Sequence, residues 1–291
     1  MNLLNFLYRQ YSKNVVANTL TFKVKRFISK TLYNIFAAQY YKSNKMKLSG
    51  GNDVIVSLTT FPDRIEKTWL VIESLIDQTI PPDKIVLTLS SKQFINGLAD
   101  LPKELLSQLN RGLEIIWSED DLRSHKKYYY VMNKYPKSKV ITVDDDFFYS
   151  QGMVEHLLNA NQQYPDAVIC NLAAKKNGSS YKDWKNMLFE EVLPTTEIMQ
   201  YGGSGVLYPP NSLHQDAFDK KKILNLCPLA DDIWLNCMTI INNKKIVKTS
   251  YPYYLMPVYF KTTRALKDIN VGEDMNSIQI KKLKEYYKDY E

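Results

Sequence analysis

The sequence predicts an α/β fold: a mostly parallel sheet flanked by helices, preceded by an amphipathic helical arm. Two observations carry that reading. From Asp53 onward, short apolar runs alternate with segments of helical period, each pair separated by Pro, Gly or polar residues. Before it, residues 1–50 hold nine Lys/Arg and no Asp or Glu, with large apolar residues at three- and four-residue steps. With 291 residues and 45% hydrophobic content, the chain is long enough to bury a full core.

The arm comes first in the chain. Leu3, Phe6, Leu7, Tyr11 and Val15 share one helical face, and so do Leu20, Val24, Phe27, Ile28, Leu32, Ile35 and Phe36. The longest uncharged stretches run from Asn14 to Phe22 and from Thr31 to Tyr41. A transmembrane helix needs about 20 apolar residues, so neither spans a bilayer. The scattered basic residues do not fit a signal peptide either. A basic amphipathic helix with aromatic residues suits a membrane interface; packing on the body or on a second subunit is the competing expectation. Lys42 to Asn52, with Ser49-Gly50-Gly51, reads as the linker, giving an arm over 1–50 and a body over 51–291.

In the body, Asp53 to Phe61 reads as a buried strand and Glu66 to Gln78 as an amphipathic helix. Lys84 to Ser90 is a second strand, Leu101 to Arg111 a helix, and Leu113 to Trp117 a third strand. His125 to Tyr135 is helical. Lys139 to Val143 forms a fourth strand, running into Asp144-Asp145-Asp146. Gly152 to Tyr164 is a helix, Ala167 to Leu172 a strand, and Ile278 to Tyr290 a closing helix. Such alternation gives a largely parallel sheet covered on both faces.

Charge and cysteine usage exclude several classes. Residues 51–291 hold the remaining 29 of 38 basic groups against 31 acidic ones, a net of −2. The basic excess thus belongs to the arm, whereas a nucleic-acid binder spreads Lys/Arg over its folded body; no nucleic-acid partner is expected. Cys170, Cys227 and Cys237 form no C-x-x-C pair, which argues against a zinc cluster or a disulfide framework and fits a reducing cytoplasm.

Ligands of open parallel sheets bind beyond the carboxyl ends of the strands. Two clusters stand there: Thr59-Thr60-Phe61 with Arg64, and the Asp triplet. Neither G-x-G-x-x-G nor G-x-x-x-x-G-K-[ST] occurs, so a nucleotide must be held another way. If the strand continues, Asp144 and Asp146 point the same way. Two like charges that close call for a cation, and hard oxygen ligands suit Mg²⁺ or Mn²⁺ bridging phosphates. The competing reading is a solvated acidic loop. Downstream, Tyr201-Gly202-Gly203-Ser204-Gly205 places three glycines in four residues, for a close ligand approach or a tight hairpin. Asp231-Asp232 open a helix, where acids often serve as caps, but where a second carboxylate facing a cleft can take a proton from a hydroxyl.

This ordered set, VSLTTFP with Arg64, ITVDDD, GGSGVLYPP and ADDIW, resembles the GT-A class of glycosyltransferases, above all bacterial capsule and cell-surface polysaccharide enzymes and more distantly the Fringe-like β-1,3-glycosyltransferases. The resemblance covers about residues 53–260. It implies a metal-dependent inverting transfer from a nucleotide-sugar, UDP being the usual carrier, to a lipid-linked oligosaccharide or surface polysaccharide. Thr59, Thr60, Phe61 and Arg64 would line the nucleotide pocket, with Gly203 close to the donor. Asp144 would touch the ribose or base side and share the metal with Asp146, the principal ligand, Asp145 assisting. A lysine of Ser124-His125-Lys126-Lys127-Tyr128, Lys127, would reach the diphosphate. Asp232 would be the catalytic base and Asp231 its neighbour and rival. Many relatives carry a later histidine as a further metal ligand; His125, His156 and His214 all precede ADDIW, so the Asp side chains, phosphates and water are left to hold the ion. The arm would place the enzyme on the inner face of the cell membrane, and an oligomer is compatible with it.

Two other classes compete: a metal-dependent phosphohydrolase or nucleotidyltransferase on the same carboxylates, and a membrane-tethered binding protein without catalysis. On the acceptor side, Tyr251-Pro252-Tyr253-Tyr254 offers flat faces for sugar rings, and the polar run Lys175 to Ser180 suits a closing loop.

Overall fold

The computed structural model describes residues 3–13, 19–43, 46–48, 50–51, 53–178, 181–251, 255–260 and 274–290. Pro252, Tyr253, Tyr254, Ser179, Ser180 and Val15, all part of the readings above, lie outside them. In chain order the elements are α1 (Leu3–Lys13), α2 (Leu20–Ser43), β1 (Val54–Thr59), α3 (Pro62–Ile76), β2 (Lys84–Ser90), α4 (Lys103–Gln108), β3 (Leu113–Ser118), α5 (Lys126–Lys134), β4 (Lys139–Thr142), β5 (Phe147–Phe148), α6 (Met153–Gln163) and β6 (Val168–Cys170). There follow β7 (Ala173–Lys175), β8 (Lys185–Met187), β9 (Val192–Thr195), β10 (Ile198–Gln200), β11 (Val206–Tyr208), α7 (Lys220–Leu226), α8 (Asp231–Ile241), β12 (Ile246–Lys248), β13 (Met256–Pro257) and α9 (Met275–Tyr286).

The apolar runs form the central strands as expected. An eight-stranded sheet has the order β3-β2-β1-β4-β11-β6-β12-β9. Strands β1 to β4 are parallel neighbours, and β12 lies parallel to β6. Alternation along β1 sorts its side chains between the faces: Val54, Val56 and Leu58 join the core shared with α1, α2, α3 and α6, while Ile55 packs with Val131 of α5. Pro62 starts α3, where a missing N–H costs nothing. The expected helix to Arg111 is shorter: α4 tightens at Leu109–Arg111 into a 3₁₀ turn that ends at Gly112, whose φ is 111°.

Two strands depart from the parallel plan: β9 at the sheet edge runs antiparallel to β12, and β11 runs against both of its neighbours. β11, directly after the glycine run, enters antiparallel between β4 and β6. The glycine run therefore makes no hairpin; it leads into a central strand, next to the one that carries the Asp triplet.

The arm helices pack on the body. Leu4, Leu7, Tyr8 and Tyr11 of α1 and Tyr33, Ala37 and Tyr41 of α2 join the main core. The stripe that α2 buries is not its most apolar one. Tyr33, Ala37 and Tyr41 face inward, with Ser29, whereas Leu20, Val24, Phe27, Ile28, Ile35 and Phe36 stay exposed. At the other end, α9 packs on α7 and α8, and the Tyr290 hydroxyl donates to Asn236 Oδ1 (3.1 Å).

Candidate active site

β4 stops at Thr142, and one further sheet bond, from Val143 N–H to the Ser57 carbonyl (3.0 Å), precedes a turn at Asp145-Asp146. The strand alternation expected for the triplet is therefore replaced by turn geometry. β5 follows at once and pairs with β13, and Val258 N–H donates to the Asp146 carbonyl (2.8 Å). The three carboxylates take different partners. Asp145 turns inward, where it accepts from Thr60 Oγ1 (2.5 Å) and Arg64 (2.6 Å). Asp146 lies 3.0 Å from the same guanidinium. Asp144 pairs instead with Lys127 Nζ at 2.8 Å. Burial raises the pKa of Asp145, and burial followed by the Asp144 charge lifts that of Asp146 to about 7, Arg64 only partly offsetting this.

Thr59 does not reach the cleft through its hydroxyl, which donates to the Thr88 carbonyl across the sheet (2.7 Å). Thr60, Phe61 and Arg64 serve the Asp turn. Phe61 caps α3 and its ring lies 5.2 Å from the Arg64 guanidinium, with Phe260 at 5.5 Å on the same group. Stacked and doubly ion-paired, the guanidinium holds Asp145 and Asp146 in register.

Lys127, in the first turn of α5, is only 3% exposed and binds two carboxylates, Asp144 and Asp231 (both 2.8 Å). Burial alone would lower its pKa; Asp144, Asp231 and Asp232 together raise it well above the ordinary value, so the ammonium stays charged. His125, just before α5, is neutral rather than basic: burial pushes its pKa down to about 4, and Nε2 is 2.8 Å from the Cys227 carbonyl.

Asp231 and Asp232 occupy the first turn of α8. Burial opposes ionisation of Asp231, but Lys127, with His125 and Ser124, outweighs it and its pKa is lowered. Asp232 has the reverse balance. Burial and then the Asp231 charge raise it to about 7, against the pull of Lys127 and of the Gly202 N–H that Oδ1 accepts (3.0 Å).

The glycine run closes the arrangement. A Cβ on Gly202 would lie 2.6 Å from Asp232 Oδ1 and 2.9 Å from Lys127 Nζ; one on Gly203 would lie 3.0 Å from Asp144 Oδ2. The turn thus threads between the two carboxylates, and Gly205 leaves it at a φ of 87° that a side chain rarely adopts. Tyr149 ties it to the Asp turn: its hydroxyl accepts from Asp144 N–H (2.8 Å) and donates to the Gly203 carbonyl (3.1 Å). Sequence reasoning missed Tyr149 and Phe260, and chose Gly203 of the glycine run where Gly202 holds Asp232. The glycine spacing pointed to Gly202; nothing local singles out Tyr149 or Phe260.

Among the described residues, no group of three or more His, Cys, Asp and Glu side chains is arranged to hold a metal ion. A divalent cation nonetheless fits the turn. The Asp144 and Asp146 side chains are 37% and 29% exposed, and Asp146 Oδ1 is buried without a hydrogen-bond partner. Two hard oxygen donors suit an ion that keeps waters and takes phosphate oxygens.

No protein-family model and no curated protein matches the chain. Among the solved structures to which the chain is similar are two glycosyltransferases. A mannosyltransferase from Pyrobaculum calidifontis, in complex with GDP-Man and Mn²⁺, aligns over 96% of this chain and 75% of its own with 9% identity and a TM-score of 0.49. GalNAc-T7, with UDP, GalNAc and Mn²⁺, aligns over 68% of this chain and 41% of its own with 12% identity and a TM-score of 0.48.

Proposed function

We propose that the protein is a metal-dependent inverting glycosyltransferase that moves a sugar from a nucleotide-sugar, a UDP-sugar by expectation, to a glycan or lipid-linked glycan acceptor. The observation that carries this reading is the convergence, through Lys127 and the Gly202-Gly203 turn, of an open carboxylate turn and a carboxylate with a raised pKa. The GT-A resemblance of the motifs supplies the reaction class.

A divalent ion on Asp144 and Asp146, when bound, supplies charge stabilisation to the departing diphosphate. The remaining roles fall to this chain. Arg64 and Thr60 fix the turn through Asp145. Lys127 holds the Asp144 carboxylate in place and keeps Asp231 ionised. Asp232, with Oδ1 held by Gly202, takes the acceptor hydroxyl proton on Oδ2 as the acceptor oxygen bonds to the sugar C1 and the C1–O bond to the nucleoside diphosphate breaks. A catalytic histidine, or a nucleophilic Asp in a D-x-D-x-T setting, would favour phosphoryl hydrolysis; the triplet is followed by Phe147-Phe148, and His125 is buried and neutral.

The decisive experiment is binding and slow hydrolysis of UDP-, GDP- and CMP-sugars with Mn²⁺, Mg²⁺ or EDTA. One donor should bind with metal and be lost with EDTA or in Asp146→Ala. Metal-independent turnover that survives Asp146→Ala would falsify the metal assignment.

The arm supports a place for the reaction. The exposed face of α2, with Phe27 at 63% and Ile35 at 61%, adjoins basic residues and no acidic ones within residues 1–50. No described helix is long and apolar enough to cross a membrane. A face of this kind lies in an interface, and each nearby Lys or Arg adds about 1 kcal/mol on anionic lipid. In this reading the enzyme docks on the inner face of the cell membrane, beside a membrane-borne acceptor.

A further inference from the structure

Beyond the Asp cleft, a groove of about 510 Å³ runs between the segment after β7 and helix α9. Lys176, Trp184, Glu197, Ile280, Lys284 and Tyr290 line it. Its polar groups are poorly matched. Lys176 Nζ has no hydrogen-bond partner among the described residues; it rests over the Tyr290 ring, 5.0 Å from the centroid. Trp184 Nε1 is likewise buried with nothing to donate to. Unpartnered buried donors are rare in folded proteins and call for an explanation. Burial, followed by repulsion from Lys284, pushes the Lys176 pKa down to about 7. Glu197 is the acid on the lining, and its side chain does not bond Lys176 Nζ. A second groove of similar size continues along α9 past Lys281, Lys284 and Lys288, with Glu285 the acid there.

The groove is linked to the reaction centre by two aromatic residues the mechanism does not use. The Trp184 ring lies 5.1 Å from that of Tyr181. The Tyr181 and Tyr201 hydroxyls lie close enough to perturb each other, and both feel the charge of Asp232. Tyr201 immediately precedes Gly202, whose N–H holds that carboxylate. A glycan with its reacting hydroxyl at Asp232 can therefore lay its next unit against Tyr181 and Trp184, flat faces suited to sugar rings.

We propose that this groove is an acceptor subsite for an acidic sugar unit, its carboxylate or phosphate bound by Lys176 and Lys284 with the Trp184 N–H. The proposal rests on the glycosyltransferase reading. The lysine stem lets the ammonium leave the Tyr290 ring for an anion, as the fixed indole N–H cannot. The anion satisfies both orphan donors and relieves the repulsion between the two lysines.

Calorimetry and saturation-transfer NMR on the full chain would use methyl glucuronide, glucose 6-phosphate and methyl glucoside as probes. The acidic sugars should bind at least tenfold tighter than the neutral one, and a difference between the first two identifies carboxylate or phosphate as the preferred group. Lys176→Met should abolish the preference and Trp184→Phe reduce it several-fold. Thermal melts check folding, since an unpaired buried lysine is readily replaced by an apolar side chain. Equal binding of acidic and neutral sugars, or a preference intact in Lys176→Met, overturns the subsite. Binding of UDP-sugar with Mn²⁺, measured in the same samples, tests the enzyme reading separately: it should be unchanged in Lys176→Met, and its absence from the wild type would remove the acceptor role even where an acidic sugar binds.

Discussion

Asp231 and Asp232 are neighbours on one helical turn, yet Lys127 faces the first and Gly202 N–H the second, and their pKa values separate. Pairs driven apart in this way mark acid and base assignments. The raised value also has a cost in stability. Folding raises Asp232 from 3.8 to about 7, so between those values the folded chain binds more protons than the unfolded one. Stability from this group is therefore lost as pH rises from about 4 to about 7. Asp232→Asn should abolish transfer, by about 10²–10⁴-fold for loss of a general base, while leaving metal-dependent donor binding. It should also match wild type in urea melts in EDTA at pH 4 and exceed it at pH 8. The gain should be on the order of a few kcal/mol, since each tenfold change in a protonation equilibrium is worth about 1.4 kcal/mol. Equal melts at both pH values would contradict the raised pKa. Gly202 makes a second test at this scale. Its missing Cβ leaves room for Asp232 Oδ1 and Lys127 Nζ, so Gly202→Ala should cut activity at least tenfold. A thermal melt shifted by only a few degrees would place the damage in the site.

At the scale of elements, the β5–β13 ribbon holds the Asp turn, and the arm holds the ribbon. Tyr8 Oη donates to the Phe148 carbonyl (3.3 Å) and Tyr11 Oη to the Leu255 carbonyl (3.0 Å). Asn34 donates to the Pro257 carbonyl (3.0 Å) and accepts from Tyr259 N–H (2.9 Å). The next residue, Phe260, stacks on Arg64. Helix α2 is thereby coupled through Tyr259 and Phe260 to Asp145 and Asp146. Asn34→Ala, which removes these two links to the ribbon and a third bond to the Lys30 carbonyl, each worth about 1 kcal/mol, should weaken Mn²⁺-dependent donor binding several-fold. Lys42→Ala, at an exposed ion pair with Glu104, is the control and should leave it unchanged. Calorimetric titration of donor into both variants decides the matter.

For the whole molecule, the charge division between arm and body gives it two faces. The outward stripe of α2 is apolar and its surroundings basic, while the body carries a small negative excess. Phe27→Glu with Ile28→Glu should abolish co-sedimentation with anionic vesicles and leave donor hydrolysis in solution as it was, because neither side chain is buried. Binding of the wild type should fall with added salt as the Debye length shortens from about 10 Å at 0.1 M. Salt-insensitive binding to zwitterionic vesicles would leave the basic residues without a part in docking.

The strands β1 to β4 and β6 with the helices between them, the small negative excess of the body, and the candidate residues at the strand ends are legible in the sequence, whereas the two-residue strand β5 is not. Those features are local: apolar runs, helical period and turn residues act within a few positions of one another. The remainder depends on long-range contacts. The tertiary structure sent Asp145 inward and Asp144 to Lys127, committed Thr59 to the sheet, and ran β11 antiparallel between β4 and β6. It also chose the stripe of α2 that packs. Hydropathy favoured Leu20, Phe27 and Ile35, but Tyr33 and Ala37 fit the surface beside Phe148, whose ring lies 4.7 Å from that of Tyr33. Each of these choices is set by a partner many residues away, a hydrogen bond, an ion pair or a matched shape. No local pattern records such a partner, because its free energy exists only once the two segments meet.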